Sequence, residues 1–265
     1  MIELPDVERM IDAFAGYATG KTVSEVLIDD PETANIDAGL CEERVKGHAI
    51  DTIERHGRYV VVRFRSDVSL VFHMGSEGQI FLESQTTPPD ENSKIRLQFA
   101  AGRELRYSST GSEGEIHLVE GDDFTGLGTL ENLGLDPLSE ELTAPRFVDL
   151  ARTKPKSTLK GMLLNQEIVA GIGNEYADEI CFQAGYRPDL KVKDVTDEQL
   201  KRIHKYLRRV LRRATLHWQA AHADPGWLIN RRKRGSACPR CTSTLKSMRL
   251  VGQKTYLCPR CQRAA

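Results

Sequence analysis

Between Thr52 and Val119 the apolar positions fall in short alternating runs: YVVVRF (Tyr59 to Phe64), VSLVFHM (Val68 to Met74), GQIFLE (Gly78 to Glu83), KIRLQF (Lys94 to Phe99) and ELRYSS (Glu104 to Ser109). β-Branched and aromatic residues concentrate in these runs. Breaks containing Gly, Pro and Asp, such as TTPPDENS, separate them, which is the pattern of antiparallel strands joined by turns. A β-sandwich is expected. Ahead of it, Val7, Met10, Ile11 and Phe14 recur at helical spacing within Asp6 to Tyr17, so a short helix should pack against the sandwich.

After LGLDPL (Leu133 to Leu138), whose Gly and Pro suit a linker, the period becomes helical. From Thr196 to Trp218, Leu200, Ile203, Leu207, Val210, Leu211, Ala214 and Trp218 form one apolar stripe, with Thr196 and Gln199 placed as a capping box. The opposite face carries Lys201, Arg202, Lys205, Arg208, Arg209, Arg212 and Arg213, either a solvated surface or a ligand face. Leu159 to Asp189, LKGMLLNQEIVAGIGNEYADEICFQAGYRPD, holds two apolar segments joined by the Gly-rich turn Ala170 to Asn174. Glycines before a helix let a phosphate reach its backbone N–H groups, and Asn174 could cap the helix or donate from its amide. The other reading of that turn is a tight helix connection.

The whole chain has 265 residues and a net charge of -1, which by itself argues against a polyanionic partner. The charge is divided, however: residues 1–145 hold 12 basic and 28 acidic residues, and residues 146–265 hold 25 and 10. The halves are -16 and +15, so two domains with different tasks are expected, with a nucleic-acid surface on the basic half. Mutual attraction of two solvated surfaces is the alternative. No run approaches the ~18 apolar residues of a membrane span, and MIELPDVERM lacks the features of a signal peptide. A soluble cytoplasmic protein is expected, nucleoid-associated if bacterial.

Four of the six cysteines end the chain as Cys238-x2-Cys241, sixteen residues, then Cys258-x2-Cys261. Two such knuckles at this separation are the spacing of a structural Zn2+ site closed by four thiolates, against the alternatives of disulfides or redox dithiols. The intervening LKSMRLVGQKTYL reads as two strands around Val251-Gly252, a hairpin too small to fold without its metal. With NRRKRG (Asn230 to Gly235) before it, the hairpin is a candidate phosphate-gripping finger. Cys41 and Cys181 read as packing residues.

In ELPDVE (Glu3 to Glu8), RHGRYVVV (Arg55 to Val62), LGLDPL, the Leu159 to Asp189 segment and the two knuckles with their CPRCQ ending, the sequence resembles the formamidopyrimidine-DNA glycosylase and endonuclease VIII family of base-excision repair enzymes. The resemblance runs in order along almost the whole chain. It implies an α+β multidomain protein: an N-terminal β-sandwich (1–130), a linker (131–145), a helix-two-turn-helix domain (146–225) and a zinc finger (226–265), with damaged DNA held in a cleft and the protein acting as a monomer. It also implies that Lys160 and Asn174 hold phosphates around the lesion, with Arg58, Gln253 and Lys254 at the remaining phosphate-contact positions.

Several positions depart from the family pattern. The family attacks C1′ of the sugar with an N-terminal proline exposed by removal of Met, forming a Schiff base; here that position is Ile2, and methionine removal generally needs a small second residue. Were Met1 removed, Ile2 would offer a primary amine. Glu3 stands at the acid–base carboxylate and could orient a water against an oxocarbenium-like sugar; the alternative is a carboxylate stabilised by the dipole of the first helix. Asp6 replaces a second Glu. Ser76, Ser112 and Glu113 fall where the family inserts Met, Arg and an aromatic residue to fill the space of the flipped base. Met74 is two residues off that register and reads as a strand residue. Arg58 replaces Lys, Gln253 replaces the finger-tip Arg, and QAAHADPG between Trp218 and Trp227 is short for a loop closing over an oxidised purine. Two functions follow: a diverged DNA glycosylase with possible AP-lyase activity, using Glu3 and water or the terminal amine, or a DNA- or RNA-binding protein that has lost base excision.

Overall fold

A computed structural model describes residues 2–31, 36–110, 113–217 and 224–263. The chain divides into two compact units, one of Met1–Ile2 and Asp6–Glu131, the other of Glu3–Pro5 and Asn132–Ala265.

In the first unit, helix α1 (Leu4–Ala18), whose first two residues belong to the second unit, precedes β1 (Val23–Ile28), helix α2 (Ala38–Val45) and strands β2 (Ile50–His56), β3 (Tyr59–Phe64), β4 (Val68–His73), β5 (Gln79–Ser84), β6 (Ser93–Phe99), β7 (Arg103–Ser108) and β8 (Glu115–Glu120). They form two antiparallel four-stranded sheets, ordered β1-β6-β7-β5 and β2-β3-β4-β8. Register explains the alternation: Val60 faces Phe72 and Val62 faces Leu70, so these side chains share the inner face. They join Ile95, Leu97, Leu105 and Tyr107 of the other sheet and Val7, Met10, Ile11 and Phe14 of α1 in one core. Each large apolar side chain fully buried there contributes ~1.5–3 kcal/mol. Met74 is fully buried in this core.

β1 and α2 are not evident in the sequence. β1 (VSEVLI) carries only part of an alternating pattern, and its pairing with the distant β6, Ile28 against Ile95 and their neighbours, is set by tertiary contact. A buried ionic group on β7 also escapes the periodicity. Glu104 accepts from Arg106 Nη2 (2.6 Å) and Gln98 Nε2 (3.0 Å), while Arg106 donates to the Thr87 and Pro88 carbonyls of the TTPPDENS loop. The outer face of β7, opposite Leu105 and Tyr107, is here polar and roofed by a loop.

The second unit contains helices α3 (Ala144–Arg152), α4 (Leu159–Leu163), α5 (Asn174–Ala184) and α6 (Asp197–Leu216), then the hairpin β9 (Lys246–Leu250) and β10 (Gln253–Leu257). Thr143 and Thr158 cap α3 and α4, Gly185 (φ 84°) ends α5 in a left-handed turn, and the Thr196/Gln199 capping box is formed. The stripe of α6 packs with Ile172, Tyr176, Ala177, Ile180 and Cys181 in the helical core. Trp218, assigned to that stripe from the sequence, lies outside the described residues. Phe182 of α5 belongs instead to a small core with Leu228, Leu245, Tyr256 and the cysteines of the finger. Gln262 fastens the finger further: its Oε1 accepts from Cys258 N (2.8 Å) and its Nε2 donates to Tyr186 O (2.9 Å).

Candidate nucleic-acid interface

The Gly-rich turn places the N-terminus of α5, and Glu3 is seated on it. The Glu3 carboxylate accepts from Gly173 N (2.8 Å) and Tyr176 N (3.2 Å) on Oε2 and from Glu175 N (2.7 Å) on Oε1. Leu4 N donates to Gly171 O (2.9 Å), fixing the approach. A Cβ at position 173 would stand 2.6 Å from Glu3 Cγ and 2.7 Å from its Oε1, so only glycine fits there. Glu3 is thus stabilised by the dipole of α5 rather than of its own helix α1, and it occupies N–H groups that the sequence offered to a phosphate. Burial, opposed by the three N–H donors, pushes its carboxyl up to about 7.

Lys160, on α4, is also fully buried, so its ammonium is not a surface cation. Nζ donates to Asn174 Oδ1 (2.6 Å) and to Asp178 Oδ1 (2.6 Å). Burial draws the Lys160 amine down from its usual range and the Asp178 carboxyl up, each against the attraction of the other. Because Asn174 Oδ1 is taken, the amide is oriented, and its Nδ2 forms no hydrogen bond among the described residues. Asp178 Oδ2 accepts from Tyr256 N (2.9 Å) and from Arg232 Nε (3.2 Å) and Nη2 (3.1 Å). Nothing in the sequence singles out Asp178 or Arg232; the first is one of three acidic residues of α5, the second lies inside the basic NRRKRG run.

The sulfur atoms of Cys238, Cys241, Cys258 and Cys261 all lie within 4.8 Å of one another. Cys238 and Cys261 Sγ are 3.8 Å apart and Cys241 and Cys258 Sγ 3.5 Å, near the ~3.8 Å edge of a tetrahedron with Zn–S of ~2.3 Å. Arg240 N and Cys261 N donate to Cys238 and Cys258 Sγ (3.4 and 3.3 Å), the N–H groups each knuckle turns toward its metal ligand. These residues fit a structural Zn2+. At the hairpin tip Val251 (φ 48°) and Gly252 (φ 74°) are both left-handed, as a two-residue hairpin turn requires, and Val251 is 66% exposed. Gln253 is half-buried beside the tip, and exposed Lys254 lies over the Tyr256 ring at 5.4 Å.

Most of the basic face of α6 is committed within the protein. Arg202 donates to Ala184 O (3.0 Å) at the end of α5; Arg208 and Arg212 bond Glu140; Arg213 pairs with Asp224 and Lys201 with Glu198. Among the described residues only Lys205 and Arg209 of the seven form no such bond. The face is therefore neither wholly solvated nor an open ligand surface: Arg202, Arg208 and Arg212 tie α5 and the preceding linker to α6.

In the first unit, Arg58 is on the β2–β3 turn; burial, aided by the charge of Arg58, lowers the basicity of His73. Ile2 packs against the sandwich core, and Asp6 lies half-buried in the first turn of α1. Ser76 Oγ donates to Glu113 Oε2 (2.5 Å), Thr110 Oγ1 bonds Glu77, and Glu113 O faces His73 Nδ1 (3.0 Å). The two loops expected from the sequence to face a lesion therefore bind each other. Ser112 lies outside the described residues, as does most of QAAHADPG.

A two-sheet sandwich, a helical unit and a four-cysteine finger in this order define the class of glycosylase folds with a helix-two-turn-helix module. The formamidopyrimidine-DNA glycosylase N-terminal domain matches residues 1–115, the H2TH domain of the same enzymes residues 133–221, and the zinc finger found in FPG and IleRS residues 235–264. The chain belongs to the formamidopyrimidine-DNA glycosylase family. Formamidopyrimidine-DNA glycosylases of Bacillus cereus and Desulfitobacterium hafniense are 28% and 29% identical to it over 275 residues, covering 99% of this chain in each case and 99% and 100% of their own. Among solved structures, a complex of Lactococcus lactis Fpg (MutM) with DNA containing N7-benzyl-Fapy-dG has a TM-score of 0.87 at 23% identity, over 99% of this chain and 100% of that one. The same protein with abasic-site DNA gives 0.87 at 22%, with the same coverage.

Proposed function

We propose that the chain binds damaged DNA through its second unit, as a monomer, and excises bases by a hydrolytic route with Glu3 as the acid–base group. In this reading residues 1–130 carry the sandwich, 146–225 the helix-two-turn-helix and 226–265 the finger. The observation that carries the binding is the Asn174 amide, oriented by Lys160 so that Nδ2 keeps its donors for a phosphate at the positive end of α5. Lys160 acts from beneath, through its field and the orientation it imposes. Arg58, Gln253 and Lys254 serve as outer contacts. Among the described residues no helix is long and apolar enough to cross a membrane, and DNA in the cytoplasm, or the nucleoid of a bacterium, is the proposed setting.

The raised carboxyl of Glu3 supports the chemistry, because a general acid or base works best with its pKa near the working pH. Ionised Glu3 takes a proton from a water whose oxygen bonds to C1′; the C1′–N bond breaks with its electron pair leaving on the base, and Glu3 returns that proton to the departing nitrogen, which restores its ionised form. Ile2 replaces the proline of the imine route, and its side chain is committed to the sandwich core.

The contact between Ser76 and Glu113 favours a second reading, binding of DNA or RNA without excision, since two joined acidic loops neither fill a gap in a base stack nor attract phosphate. Duplex and single-stranded oligonucleotides carrying abasic, oxidised-purine and oxidised-pyrimidine sites, incubated with and without borohydride, separate the two. Base release abolished by Glu3→Gln supports the first reading. Binding with neither release nor trapped adduct establishes the second.

A further inference from the structure

The fully buried Asp178 carboxylate divides its two oxygens between two parts of the second unit. Oδ1 receives Lys160, whose other bond goes to Asn174; Oδ2 receives the β10 backbone at Tyr256, two residues before Cys258, together with Arg232. Arg232 spans the same joint. Its Nη1 donates to Glu175 Oε1 (2.7 Å), its Nη2 also reaches Lys254 O (3.3 Å), and its guanidinium lies 5.4 Å from the Tyr256 ring centre. A continuous path of short bonds therefore runs from the metal-stapled hairpin through Asp178 and Lys160 to the Asn174 amide. Each buried group in it has no water to substitute for a lost partner.

We propose that Asp178, braced by Arg232, is a positioning residue that makes the orientation of the Asn174 amide depend on the folded zinc hairpin. When β10 loses its fold, Asp178 loses the Tyr256 N–H and Arg232 on one oxygen, Lys160 follows the released carboxylate, and Asn174 Oδ1 is free to rotate. The finger then contributes to DNA binding twice, by its own cations and by holding a contact on α5. The inference rests on the reading of Asn174 as a phosphate donor.

The test is a double-mutant cycle on the full-length zinc protein, with a duplex carrying an abasic-site analogue as probe. Asp178→Asn keeps the shape but turns an amide donor toward either Lys160 or the finger. Arg232→Gln is the milder variant, leaving the Tyr256 N–H in place should Asp178→Asn fail to fold or to retain zinc. On a route through Asn174, either variant weakens binding about ten-fold in the wild-type background and leaves the affinity of Asn174→Ala nearly unchanged, because the contact it orients is already gone. Losses that multiply in the double variants overturn the coupling while leaving Asn174 as a phosphate contact. An Asn174→Ala protein that binds as tightly as wild type overturns the phosphate reading itself. Equal affinity of wild type and Arg232→Gln overturns the role of Arg232 as brace.

Discussion

Glu3→Gln changes one acceptor atom into a donor at constant shape, in a site where Glu3 is 1% exposed. With its carbonyl on the Oε2 side, the substituted amide keeps the bonds from Gly173 and Tyr176 and turns its NH2 against Glu175 N–H; the reverse orientation keeps one bond and loses two. At least one buried N–H is left without an acceptor, at a cost of ~1–3 kcal/mol. The wild-type carboxyl adds a pH dependence that the amide lacks. Its native value of about 7 lies above the ordinary 4.5, so between these values the native protein holds a proton that the unfolded chain has released. Stability therefore falls as pH rises through that window, by ~3 kcal/mol in total at ~1.4 kcal/mol per pH unit. Glu3→Gln is expected to be ~1–3 kcal/mol less stable than wild type near pH 5, and the deficit is expected to vanish or reverse by pH 8. Urea unfolding followed by tryptophan fluorescence at pH 5, 6, 7 and 8 measures this. A deficit that stays constant or grows toward pH 8 would refute the reasoning.

Gly173→Ala forces a Cβ into Glu3 and should lose ~1–3 kcal/mol by overpacking, much of it recovered in a Glu3→Ala background; thermal unfolding of the four proteins reads the recovery. Cys238→Ser should abolish stoichiometric zinc, remove the β9–β10 hairpin and weaken DNA binding, read by metal analysis and titration; unchanged zinc and affinity contradict the metal site. Glu104→Gln leaves Arg106 buried without its carboxylate and should destabilise the sandwich by ~3–5 kcal/mol, measured by chemical denaturation; a loss below ~1 kcal/mol would contradict a buried ion pair that depends on this carboxylate.

The sandwich strands are legible because one face of each is buried, which imposes a period of two, and α6 because its stripe and capping box coincide. The cysteine knuckles are legible because a tetrahedral metal fixes ligand spacing. β1 and α2 are hidden since weak patterns there are stabilised by partners distant in sequence. For the site, the sequence puts forward Glu3, Lys160 and Asn174 as candidates but does not show their mutual arrangement. Glu3 is 170 residues from Gly173, and nothing in local periodicity shows that its carboxylate caps another helix. Asp178 and Arg232 are hidden for the opposite reason: each looks like an ordinary charged residue in its own segment, and only burial of both side chains marks the pair. The sequence leaves the role of the basic face of α6 open because charge pattern alone does not distinguish solvated cations from those bonded to nearby carbonyls and carboxylates.

The N-terminus of α5 would ordinarily receive an external anion, and here an internal one fills it. On the proposed reading a phosphate is then met by the Asn174 amide, whose neighbours Gly173 and Glu175 both donate N–H groups to Glu3. An anionic group arriving within one helical turn of a carboxylate favours that carboxylate's neutral form. Binding DNA should therefore raise the Glu3 carboxyl above its free value of about 7, and by linkage DNA should bind more tightly as pH falls from 8 toward 6. The same shift moves the rising limb of any hydrolysis that needs ionised Glu3 to a pH above 7. Calorimetric titration of an abasic duplex in buffers of different ionisation enthalpy at pH 7.5 should register fractional proton uptake by wild type, reduced in Glu3→Gln. Equal uptake by both proteins would assign the proton to another group and separate the α5 terminus from the phosphate.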